Sequence, residues 1–238
     1  MRVVSLVPSA TETLVALGVP PIARTRFCDL VGVPALGGTK DPDIDAVVAL
    51  APDLVVVNDE ENRLDDARAL AAAGLALHSI SPRSVADVGP EVRALADRLG
   101  VAVPDGFAPD AWDAWETAML SPRWFDAFVP VWRRPWVALA TGTYGASLLD
   151  LLGVANVFAG DPSRYPEVTL DEVAARAPNL VLLPSEPYPF RARHRREVER
   201  VLPGVPIVLV DGRDLFWWGS RTPGAAARLR AALHDALS

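Results

Sequence analysis

The stretch NDEEN, residues 58–62, follows an apolar run and puts Asp59, Glu60 and Glu61 in consecutive positions. A further acid, Glu186, follows a second apolar run in LVLLPSEPY. Carboxylates gathered in one place repel one another unless a cation, a protonated group or an arginine lies among them. Such a set is suited to bonding the donor groups of a ligand, to holding a divalent cation, or to general acid–base work with a raised pKa. Arg221, in FWWGSR, is the expected counter-charge. Solvated turn acids that suit the start of a following helix are the plainer reading, and it suffices for Asp59 alone. For Glu60, Glu61 and Glu186, recurring on equivalent tips, a site is the better reading.

Other reactive residues are sparse. Cys28 is the single cysteine, so no intrachain disulfide forms; in the loop RFCD its thiolate is a candidate ligand for a soft metal, beside the plainer reading of a small buried residue. His78 alternates with apolar neighbours and reads as a satisfied core histidine, while His194 and His234 fall in polar helical stretches. No two histidines have zinc-ligand spacing, and GxSxG, P-loop and GxGxxG patterns are absent. With no nucleophile–base pair to read, binding is favoured over catalysis and no cofactor is required. The arginine-rich run FRARHRREVER (190–200) reads most simply as a solvated helix face with Arg–Glu pairs.

At 238 residues, half of them hydrophobic, the chain can bury one substantial core or two smaller ones. A net charge of −7 argues against a nucleic-acid surface, and no apolar run is long enough to embed in a membrane. The opening MRVVSLVPSA reads as a strand rather than a secretion signal. The sequence as written therefore suggests the cytoplasm, or a periplasmic or extracellular site if a leader has been removed.

What must position the acids is a strand–helix alternation. Apolar runs at 3–7, 54–57, 75–80, 136–140, 180–183 and 207–210 alternate with helix-like segments, the pattern of parallel sheets with crossover helices. IDAVVALAPDLVVVNDEEN from Ile44 repeats as LDEVAARAPNLVLLPSEPY from Leu170, and ETLVALGV (12–19) repeats as SLLDLLGV (147–154). The repeat implies an N-terminal α/β lobe over 1–103 and a C-terminal one over 136–238. Between them, residues 104–135 show helical spacing of Trp112, Trp115 and Met119, then of Trp124, Phe125 and Phe128, and read as a helical bridge. In open parallel sheets ligands bind beyond the carboxyl ends of the strands, and two facing lobes make a cleft. The tips supply Ser9, Glu60, Glu61 and Asn62 from the first lobe, and Tyr144, Glu186, Tyr188, Phe216, Trp217, Trp218 and Arg221 from the second. The aromatic members could stack on a flat ligand.

RVVSLVPSATETLVALG, GGTKDPDIDAVVALAPDLVVV and VTLDEVAARAPNLVLL resemble the helical-backbone metal receptors, class III periplasmic-binding-protein-like proteins that include vitamin B12-, haem- and siderophore-binding members. The resemblance covers nearly the whole chain and is nearest to the cobalamin-binding type. It implies two Rossmann-like lobes joined by a rigid helical backbone, a metal chelate such as cobalamin, another corrinoid or haem in the cleft, and an ABC importer permease as partner. NDEEN and PSEP stand where the B12-binding type tends to carry aromatics and glycines, so the site should be more acidic here. An enzyme acting on a small molecule through a cleft glutamate, or direct binding of a divalent metal, are the alternatives.

Overall fold

The computed structural model describes residues 1–235. They divide into two compact units.

The first unit comprises residues 1–82, 86–113 and 218–221. Its elements are β1 (Val3–Ser5), α1 (Pro8–Ala16), α2 (Ile44–Ala49), β2 (Leu54–Val57), α3 (Leu64–Ala72), β3 (Leu77–Ser79), α4 (Val85–Leu99, of which Val85 groups with the second unit) and the start of α5 (Pro109–Met119). The sheet is parallel in the order β1-β2-β3. β1 and β2 are buried along their whole length, as valine-rich strands covered on both faces should be. Val4, Leu6, Val47, Val55 and Leu70 pack between sheet and helices. His78, expected as a satisfied core residue, is only half-buried, and its shielded Nε2 finds no partner.

The second unit comprises 83–85, 114–217 and the described chain from 222 onward. It adds β4 (Phe125–Phe128), β5 (Pro130–Trp132), β6 (Trp136–Ala138), α6 (Tyr144–Leu151), β7 (Val154–Asn156), β8 (Glu167–Val168), α7 (Leu170–Ala175), β9 (Leu180–Pro184), α8 (Ala192–Glu199), β10 (Ile207–Val210), α9 (Gly212–Phe216) and α10 (Thr222–Asp235). A parallel sheet runs β10-β9-β4-β7, and a separate antiparallel one runs β5-β6-β8. Phe128, Trp136, Phe158, Val181 and Leu183 lie in its core.

Two expectations need correction. The helical reading of 104–135 holds for α5, whose Trp112 is buried and stacks on Phe107, but fails beyond it. Phe125–Phe128 is an interior strand paired on both sides by β9 and β7, and Trp124 is exposed. In so short a run, pairing within the sheet outweighs an apparent helical spacing. The run 136–140 also belongs elsewhere, since β6 lies in the antiparallel sheet and β4 takes the place in the parallel one.

The repeat itself is built into the backbone. Each α2/α7 copy ends in an alanine with positive φ, Ala51 at 43° and Ala177 at 48°, before a proline. Asp43 caps α2 from its side chain, and Thr169 caps α7 with the reciprocal capping box formed with Glu172.

Candidate functional site

Beyond β2, the acidic tip is held by the two asparagines that bracket it. Asn58 Oδ1 accepts from the backbone N–H of Glu60 (2.8 Å) and Glu61 (3.0 Å), and its Nδ2 donates to Ile80 O at 2.9 Å. Asn62 Oδ1 accepts from Asn58 N–H at 2.8 Å, while its Nδ2 donates to Leu6 O and Thr39 O. Both asparagines are buried. Asn62 is thus a positioning residue that ties the tip to the β1 end, and its amide protons are both spent on backbone carbonyls. Lys40, the chain's one lysine, donates from Nζ to Glu60 O at 2.5 Å. With the backbone fixed in this way, Asp59 is exposed and Glu60 and Glu61 are half-buried.

Close to this tip lies a carboxylate that nothing in its residue type or spacing singles out. Glu91, on α4, is pushed above the usual carboxylate range by burial first and then by Asp87, with Asp59 adding to the effect. Its neighbours in sequence are helix-like, so only the fold reveals that it faces other acids.

Two further tips of the first unit carry expected site residues. Ser9 is buried in the first turn of α1, and its Oγ has no hydrogen-bond partner. Cys28 is buried, with Sγ 3.1 Å from Thr11 Oγ1 and 3.2 Å from Thr25 Oγ1. Its polar neighbours there are hydroxyls. Among the described residues, no group of three or more His, Cys, Asp or Glu side chains is arranged to hold a metal ion.

Residues 218–221 form a strap that belongs to the first unit, although the chain on either side belongs to the second. Arg221 makes a bidentate pair with Glu12 of α1, Nε to Oε2 at 2.8 Å and Nη2 to Oε1 at 2.7 Å. Ser220 N–H donates to Thr13 Oγ1. Gly219 presses so close to Thr13 that a Cβ would lie 2.1 Å from the hydroxyl oxygen. Glu12 sits one turn along the helix that follows β1 and presents both oxygens to the guanidinium, so Arg221, expected as a counter-charge to the strand-tip glutamates, has this acid as a partner as well. Trp218, also in the strap, is buried.

In the second unit, Glu186 is held by α9 and the residue that follows it. Trp217 Nε1–H donates to Glu186 Oε2 at 3.1 Å, Arg213 Nε lies 3.4 Å from Oε1, and the Arg213 guanidinium stands 5.5 Å from the Trp217 ring. Gly212 is required, since a Cβ there would come within 2.5 Å of the Glu186 backbone. Trp217 and Trp218 are only 7 % and 4 % exposed, so each presents little ring face; Phe216 is half-buried. Tyr144 opens α6, buried, with its hydroxyl 2.9 Å from Thr222 Oγ1.

Tyr188 belongs to an aromatic group around His194. Trp132 packs on it edge-on at 5.5 Å, Phe190 lies 4.7 Å away, and His194 lies 5.5 Å away. His194 Nδ1 accepts from Arg191 N–H at 3.0 Å. Burial, then Arg193 and Arg133, hold its pKa below the usual histidine value. Trp132 is 47 % exposed and was missed in the sequence because it sat in a segment read as helical.

No family model matches the chain. It is 22 % identical over 191 residues to the vitamin B12-binding protein of Vibrio cholerae serotype O1, spanning 76 % of this chain and 69 % of that protein. It is 22 % identical over 199 residues to the vitamin B12-binding protein of Salmonella typhimurium, spanning 76 % of this chain and 71 % of that protein. Among solved structures, the periplasmic vitamin B12-binding protein of Vibrio cholerae matches with a TM-score of 0.79 at 18 % identity, covering 100 % of this chain and 98 % of that one. The periplasmic haem-binding protein of the same organism matches with a TM-score of 0.79 at 17 % identity, covering 98 % and 99 %. The chain is thus similar in sequence to vitamin B12-binding proteins, and it shares the fold of periplasmic vitamin B12- and haem-binding proteins, α/β with parallel sheets in two units.

Proposed function

We propose that the chain is a substrate-binding protein for a metal chelate of the corrinoid or haem type, serving an ABC importer from outside the cytoplasmic membrane, and that its ligand is a corrinoid. The full-length fold match to vitamin B12- and haem-binding proteins supports the ligand class. The observation that carries the choice within that class is the fixed acidic tip at 59–61. Haem presents carboxylates at its edge, which would meet Glu60 and Glu61 with like charge. A corrinoid presents amide N–H groups, for which a carboxylate is a strong acceptor. Glu186, already oriented by Trp217 and Arg213, would offer the same chemistry on the second unit. Phe216 and Tyr188 are half-buried and Trp132, beside Tyr188, is exposed, so these three have face or edge left to contact a ring.

The test is titration with dicyanocobinamide, cyanocobalamin and haemin, followed by absorbance and calorimetry. A corrinoid should bind with Kd at least tenfold below that of haemin, and Glu61→Gln should narrow that gap by weakening the corrinoid. Tighter binding of haemin would overturn the corrinoid assignment and leave the class intact. Binding of none of the three would overturn both.

A further inference from the structure

We propose that the open edge of β10, with the arginine-bearing face of α8 beside it, is a docking site for an extended acidic segment of a partner polypeptide, separate from the ligand site. β10 is the end strand of its sheet and pairs only with β9. Val181 N–H donates to Pro206 O and Ser185 N–H to Val210 O, so residues 206, 208 and 210 face β9. The alternation of a parallel ladder turns the backbone groups of Ile207 and Leu209 outward, as a template for one more strand. A groove of about 370 Å³ runs here, lined by Pro206, Ile207, Val208, Leu209 and Arg195. Side chains of Ile207, Val208 and Leu209 point alternately to opposite faces of the sheet, so a groove touching all three, and Pro206 just before them, follows the strand's edge. Leu209 is 43 % exposed within it.

Charge selects the occupant. In a chain of net charge −7, α8 and its flanks carry Arg191, Arg193, Arg195, Arg196 and Arg200, against Glu197 and Glu199. Glu197 is taken by Arg133. The Arg195 Nε is shielded and has no hydrogen-bond partner, with Glu199 Oε1 3.8 Å away. Arg191 lies one turn before Arg195 on the same helix face. A strand added along Ile207–Leu209 would therefore gain backbone hydrogen bonds at the edge and charge-assisted contacts from carboxylates on its α8 side. A second copy of this chain pairing edge to edge would instead bring two arginine-rich helices together, so the partner assigned is acidic.

The probe is a fluorescein-labelled peptide, Asp-Val-Asp-Val-Asp-Val, read by anisotropy on the full chain and by hydrogen exchange. Saturable binding is expected, with Kd rising at least tenfold between about 50 and about 300 mM salt. The Asn-Val-Asn-Val-Asn-Val peptide should bind at least tenfold more weakly, Arg195→Glu and Leu209→Lys should each cost tenfold or more, and the amides of Ile207 and Leu209 should gain protection. Equal affinity for the two peptides, no binding, or protection confined to other strands would overturn the proposal. Protection of the same two amides that rises with protein concentration alone would assign the edge to a second copy, and would equally overturn it.

Discussion

Asn179 and Asp126 hold each other by two hydrogen bonds, Asp126 N–H to Asn179 Oδ1 at 2.8 Å and Asn179 N–H to Asp126 O at 2.9 Å. Asp53 and Arg2 do the same in the first unit: Arg2 N–H donates to Asp53 Oδ2 at 2.6 Å, and Asp53 N–H donates to Arg2 O at 2.8 Å. In both, a residue following an Ala-Pro turn fastens the start of the neighbouring strand, which identifies β4 as the second-unit equivalent of β1. Asn179→Ala should therefore cost about 0.5 kcal/mol, the lower end of the range for a lost hydrogen bond, since the pair is exposed. Asn179→Asp should be nearly neutral, because Asp53 already performs the role. Urea unfolding of the two variants checks both.

The Arg221–Glu12 pair is partly screened by its exposure, 20 % and 27 % for the two side chains. A double-mutant cycle on Arg221→Ala and Glu12→Ala is expected to give a coupling of about 1 kcal/mol. A coupling indistinguishable from zero would mean that Gly219 and Ser220 hold the strap without it.

Trp217→Phe removes the N–H that Glu186 accepts and leaves unfilled the space of the missing ring. The expected loss is about 1–3 kcal/mol in stability, the hydrogen bond together with the lost packing. Glu186→Gln in the same background should cost only what its partly exposed pairing with Arg213 contributes, about 0–1 kcal/mol. Additive losses in the double variant, measured by thermal unfolding, would show that the two side chains act separately.

Acid should weaken the fold through its histidines. His194 and His78 both have pKa values lowered below 6.5, each chiefly by burial. The unfolded chain takes up their protons at a higher pH than the folded one does, so stability is full above about pH 6.5 and declines as pH falls below it. Tm recorded from about pH 8 to about pH 5 should fall less steeply for His194→Gln, whose side chain can still accept from Arg191 N–H. Glu91 acts in the opposite sense, its raised pKa making the ionised form costly in the fold. Glu91→Gln should raise Tm at neutral pH and change it little at pH values where the carboxyl is protonated in both states.

Much of this architecture was legible in the sequence because the same signals occur twice. The Ala-Pro-Asp/Asn turns and the valine-rich strands are local chemistry, and local chemistry survives into the fold. β4 was not legible: Trp124, Phe125 and Phe128 fit a helical spacing, and only pairing with β7 and β9 decides for a strand. At the site, the acid clusters could be found from residue type, but their partners could not. Glu12, Thr13 and Arg213 lie far along the chain from what they hold or sit in unremarkable runs, so only tertiary contact identifies them.

The strap at 218–221 also orders events in time. A nascent chain emerges from the ribosome N-terminus first and tends to fold unit by unit as it appears. Here the first unit's own last contacts, Gly219 and Ser220 on Thr13 and Arg221 on Glu12, reside in residues synthesised after nearly all of the second unit. The first-made half must therefore wait, incomplete and with the Thr13 face of α1 uncovered, until translation passes residue 221. Messages truncated before that point would yield a first half lacking its clasp, a form that proteases and chaperones would meet in place of the finished chain.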